Sequence, residues 1–85
     1  MPKTIRSLGH EALRAALVAL RQKAGLTQED LAKRLHCHQS FVARVESGQR
    51  RIDIVELVVL ARALQVDADI ILESVKQATP LDHRI

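Results

Sequence analysis

Apolar residues recur at three- and four-residue steps through most of this chain, and no stretch reads as a strand. Leu13, Ala16, Leu17 and Leu20 make the stripe of a first helix. Gly25 is placed to end it with a left-handed residue, and Lys23 suits its last turn. Before that stripe, residues 1–9 lack the period and are expected to be flexible. Thr27 can cap a second helix that starts Gln28-Glu29-Asp30, two acids suited to a positive helix start, with Leu31, Ala32 and Leu35 on its buried face. His36-Cys37-His38 breaks the pattern, and a third helix is predicted from about Gln39 to Ser47, stopped by Gly48. After the basic loop Gln49-Arg50-Arg51, Asp53 and Glu56 form a capping-box pair at the head of a fourth helix. Ile54, Leu57, Leu60, Ala61 and Leu64 give that helix its core face. Asp67 can cap a fifth helix from Ala68 to about Gln77, with Pro80 marking its end and residues 78–85 as a tail. The expectation is an all-α, five-helix single domain.

Two short helices joined by a tight turn are the unit that places its second helix in the major groove of DNA. Residues 28–47 fit that plan: small Ala32 allows a close helix crossing, and Leu31, Leu35, Cys37, Val42 and Val45 are expected to fill the seam. With the third helix wound at about 100° per residue and Val42 turned inward, Val45 and Glu46 lie within about 60° of the core direction. Ser40, Ala43, Arg44 and Ser47 then face outward. A helix that needed only solubility would carry Glu and Lys there. Small residues beside Gln and Arg instead admit base edges, Arg pairing with guanine and Gln with adenine. Glu46, near the buried side, needs a cation, and Arg21 is the candidate; a solvated Glu at the rim is the alternative.

Composition narrows the class. The 85 residues include one aromatic, one cysteine and no apolar run longer than the six from Ala15 to Leu20, so no membrane span, no internal disulfide and a cytoplasmic location are expected. Residues 1–51 hold ten Lys/Arg against four Asp/Glu, net +6, whereas residues 52–85 hold three against six, net −3. The first part suits a polyanion, and charge alone leaves open whether that is DNA, RNA or a membrane surface.

The stretch GLTQEDLAKRLHCHQSFVARVESGQRRID resembles the Cro/repressor-type helix-turn-helix family, also called the xenobiotic-response-element (XRE) family of bacterial and phage regulators. The likeness runs from Leu13 to Leu72 and rests on LTQEDLA, the Val-Ala-Arg-Val-Glu-Ser-Gly run and ARALQV at matching spacing. It implies a helix-turn-helix domain over residues 10–77 that binds double-stranded DNA. It further implies that Gln39, Ser40, Ala43 and Arg44 contact bases, and that Gln28 grips a phosphate and braces Gln39. Arg50 and Arg51 are implied phosphate contacts, and Arg21 and Glu46 an internal salt bridge. Two residues depart from the family pattern. His36 stands where glycine usually takes a positive φ, and His38 replaces the usual Ser or Thr cap, so the third helix starts weakly or uses an imidazole nitrogen.

Other residues admit two readings. Phe41 either touches sugar or a thymine methyl, or packs under the Gln49–Ile52 loop, and Lys33-Arg34 is either a solvated face or a phosphate grip. The His36-Cys37-His38 cluster falls short of the four ligands of a structural zinc, with His10 and His83 near the ends, so no metal or cofactor is expected. Val55, Val59, Ile71, Leu72 and Val75 exceed what one core needs and are expected to form a homodimer interface, the alternative being a monomer with a slightly apolar surface. The resulting expectation is a repressor bound to a palindromic operator as a homodimer. The alternative is an antitoxin or interaction module that holds a protein partner. No nucleophile–base pair or glycine-rich phosphate loop can be assembled from these positions, so no enzyme is expected.

Overall fold

The computed structural model describes residues 7–85. Its helices are α1 (Leu8–Lys23), α2 (Gln28–Leu35), α3 (Gln39–Ser47), α4 (Ile54–Leu64) and α5 (Ala68–Ala78), and the described residues contain no strand. The first four end alike. After each, a left-handed residue lets the next N–H reach back to the last turn: Leu26 to Arg21 O, Cys37 to Ala32 O, Gln49 to Arg44 O and Val66 to Ala61 O, at 2.9–3.1 Å. The left-handed residues are Gly25, His36, Gly48 and Gln65. Thr27 and Asp53 both close reciprocal capping boxes, with Asp30 and Glu56 respectively.

Leu17 of α1, Leu31 and Ala32 of α2, Val42 and Val45 of α3 and four residues of α4 meet in one core, which Ile71 of α5 completes. Each large side chain buried there contributes about 1.5–3 kcal/mol. α5 lies along α1, while α3 rests against α2 and α1.

The structure corrects four expectations. Residues 1–6 lie outside the described residues, but Leu8 and Gly9 belong to α1 and Ser7 caps it: Ser7 Oγ accepts from His10 N at 3.2 Å, and Gly9 is buried against Thr79. Ile71 is fully buried and so belongs to the core rather than to an interface between chains. Ile54 is 67% exposed, because it sits at the first position of α4 and about 70° from the centre of the Leu57–Leu60–Ala61–Leu64 stripe. Cys37 is exposed as well. Left-handed His36 swings the chain outward, and the cysteine ends at a rim beside Leu35 and Phe41, where partial burial still pushes its thiol pKa up.

Candidate nucleic-acid interface

α3 is anchored by Val42 and Val45, 2% and 5% exposed, and turns Gln39, Ser40, Arg44 and Ser47 to solvent, with Ala43 half-buried among them. Its N-cap residue, His38, makes no side-chain capping bond. The loss is partly offset elsewhere, since Gln39 is tied to α2.

That tie ends a chain of contacts that starts in α1. Arg21 Nε donates to Glu46 Oε2 at 2.7 Å and its Nη2 to Oε1 at 3.1 Å, with both side chains largely buried. Arg21 Nη1 also donates to Leu26 O, which fixes the α1–α2 turn. Gln28 Nε2 donates to Glu46 Oε1 at 2.8 Å, and Gln39 Nε2 donates to Gln28 Oε1 at 2.7 Å. Four residues expected from the sequence to act in two separate pairs, Arg21 with Glu46 and Gln28 with Gln39, thus form one network.

Behind α3, Arg50 is held by several partners. It makes a two-point bridge to Glu56 at 2.9 and 3.0 Å, donates to Arg51 O, and lies 4.7 Å above the Phe41 ring. Phe41 therefore packs beneath the loop, the second of its two readings. The Arg50 guanidinium and the Asp53 N–H hold the Glu56 carboxyl below its usual pKa, and the same pairing raises that of Arg50. Arg51 is exposed.

Three contacts were missed from sequence. Arg14 Nη1 donates to Glu46 O at 2.9 Å and lies over Gly48, where a Cβ would meet Arg14 Nε at 3.1 Å. Its spacing of seven from Arg21, two turns along one face, was an available signal. Arg34 Nη1 donates to Ala63 O at 2.8 Å, bridging α2 to the end of α4, and Glu56 is the unforeseen partner of Arg50. The residues expected at a dimer interface separate. Val55 and Val59 flank a groove with Leu35 and Phe41, whereas Leu72 and Val75 lie with Ile54 and Leu13 beside α1.

The helix-turn-helix family model matches residues 17–71. An XRE-family like protein from Pseudomonas syringae pv. tomato str. DC3000 shares 36% identity over 85% of this chain and 88% of its own, with a TM-score of 0.77. The chain belongs to the XRE-type helix-turn-helix family. Two further solved proteins of similar shape are regulators by name. The clp gene regulator ClgR from C. glutamicum is 25% identical, with 91% of this chain and 100% of that chain covered and a TM-score of 0.76. The restriction-modification controller protein C.AhdI from Aeromonas hydrophila is 35% identical, with 71% and 91% covered and a TM-score of 0.66. No curated protein matches the chain significantly. In this helix-turn-helix protein, then, α2 and α3 are the family's paired helices, and the glycine-to-histidine departure at His36 keeps the left-handed turn at φ 59°. No described helix is long and apolar enough to cross a membrane.

Proposed function

We propose that the protein is a sequence-specific transcriptional regulator that lays α3 in the major groove of double-stranded DNA and represses by occupying its operator. The observation that carries this reading is the outward strip of α3. Its exposed residues are hydrogen-bonding or small, and its one cation, Arg44, sits among them rather than in a run of charges. Gln39, Ser40, Ala43 and Arg44 contact base edges in this reading. Gln28 keeps one amide hydrogen for a phosphate, and Arg51, which is in no ion pair among the described residues, is a stronger phosphate ligand than Arg50. The regulatory names of ClgR and C.AhdI support a role of the same kind.

Each chain carries one α3. Two half-sites about one helical turn, roughly 34 Å, apart therefore call for two chains on a palindromic operator. The exposed apolar residues Val55, Val59, Ile54 and Leu72 supply surface for that homodimer. Selection of bound duplexes from random DNA tests the reading. A palindrome with half-sites so spaced is expected, bound more weakly as salt rises. Failure to enrich any sequence overturns it. Sedimentation tests the dimer separately: a single-chain mass at every concentration, with and without selected DNA, would remove it.

A further inference from the structure

Glu46 touches no surface that could meet a base, yet it lies two hydrogen bonds from Gln39. We infer that Glu46 is a positioning residue that sets which purine Gln39 reads, by fixing the direction in which two side-chain amides point. The inference rests on the operator-binding reading above and goes beyond it.

The argument starts from hydrogen inventories. A carboxylate paired with a guanidinium has acceptors only. The amide atom that Gln28 turns to Glu46 must therefore be its NH2, and the 2.8 Å contact is made by Nε2. Gln28 is left with its oxygen facing α3. The atom of Gln39 that meets this oxygen must in turn be a donor, and Nε2 meets it at 2.7 Å. Gln39 then has Oε1 and one N–H left for solvent. An acceptor beside a donor matches adenine, whose major-groove edge offers the N6 amino group and N7. With the amide reversed, Gln39 would present two N–H donors and no free carbonyl oxygen on that side. That pattern matches guanine, which offers O6 and N7 as acceptors. The chemistry of a buried ion pair thus reaches the base-reading face as a choice between the two purines.

Arg21 makes the device rigid. It occupies both oxygens of Glu46 and also holds Leu26 O at the α1–α2 turn, so the carboxylate cannot rotate away from Gln28 without losing a charged hydrogen bond. Arg14 holds the Glu46 backbone oxygen from the same helix.

The test is sequence selection with the full chain and three variants. Gln39→Ala first identifies the operator position that Gln39 reads, as the one whose preference disappears. At that position the unaltered protein is expected to favour adenine over guanine by about tenfold or more. Gln28→Met cuts the relay while leaving Arg21 and Glu46 paired, and Glu46→Gln removes the acceptor-only group at its origin. Both are expected to bring the adenine-to-guanine ratio to about twofold or less while preferences at other positions persist. A merely structural role would weaken all sequences together and leave that ratio unchanged. If Glu46→Gln does not fold, as judged by its circular dichroism, the double variant Arg21→Met with Glu46→Gln, which removes both buried charges together, decides in its place. Retention of the full ratio by the folded variants, or a guanine preference in the unaltered protein, overturns the inference while operator binding stands. A protein that selects no sequence overturns operator binding, and this inference with it.

Discussion

His36 carries a backbone cost that Gly25 and Gly48 avoid at the ends of α1 and α3. An L-residue in the left-handed region loses about 1–2 kcal/mol, part of which glycine gives back through its extra freedom when unfolded. His36→Gly is therefore expected to stabilise the protein by about 0.5–1 kcal/mol, read as a higher urea midpoint at unchanged slope. On the proposed reading, Arg44 and Arg51 should also separate in their effects. Arg44→Ala is expected to cost about 1–3 kcal/mol and relax preference at one operator position. Arg51→Ala should weaken all sequences alike and lower the salt slope by about one, as binding titrations at several salt concentrations would read. Equal effects of both on operator and random DNA would refute that division. Residue identity alone does not fix such roles. Arg50 and Arg51 are adjacent and identical in the sequence, and only the fold shows that Glu56 and Phe41 occupy the first.

The helices themselves were legible because each stripe, cap and stop agreed: Thr27 and Asp53 cap where expected, and Gly25 and Gly48 turn the chain. What was not legible depended on neighbours the stripe does not name. Ile71 and Leu72 are adjacent apolar residues, and the fold buries the first in the core and leaves the second 42% exposed. Ser7 and Gly9 gave too little periodicity to mark a helix whose first turn is held by α5. At this scale acid should loosen the junction of α3 and α4. Glu56 has a depressed pKa in the fold, so its contribution is complete above the unfolded value of about 4.5 and is lost as pH falls through the folded one. His10, lowered first by burial and then by the charges of Arg51 and His83, acts in the same direction from about 6.5 downward. Thermal melting across pH 3–7 is expected to fall toward acid, and Glu56→Gln should flatten the lower part of that curve.

Across the whole molecule, the contact of Gly9 with Thr79 sets how closely the first and last helices lie. A Cβ at Gly9 would stand 2.5 Å from Thr79 Oγ1, which itself donates to Val75 O. Alanine normally improves a helix over glycine by about 1 kcal/mol. Here Gly9→Ala is expected to destabilise by about 1–3 kcal/mol instead, and Thr79→Ala in the same chain to recover most of it. Denaturant titration of the two variants reads both effects; a stabilised single mutant would show that the two helices can move apart cheaply.

That contact also bears on the order in which the molecule assembles. α2 and α3 meet across a turn of a few residues, whereas Gly9 and Thr79 are brought together from nearly opposite ends of the described chain, the larger loop to close. Arg14 and Arg21, which hold Glu46 in place, sit on the helix that this late closure secures. The α3 surface proposed to read DNA is thus built from residues close in sequence, while two of its supports, Arg14 and Arg21, come from the distant first helix. Substitutions at the α1–α5 seam are therefore expected to act on unfolding rates more than on folding rates, as stopped-flow kinetics of Gly9→Ala would read.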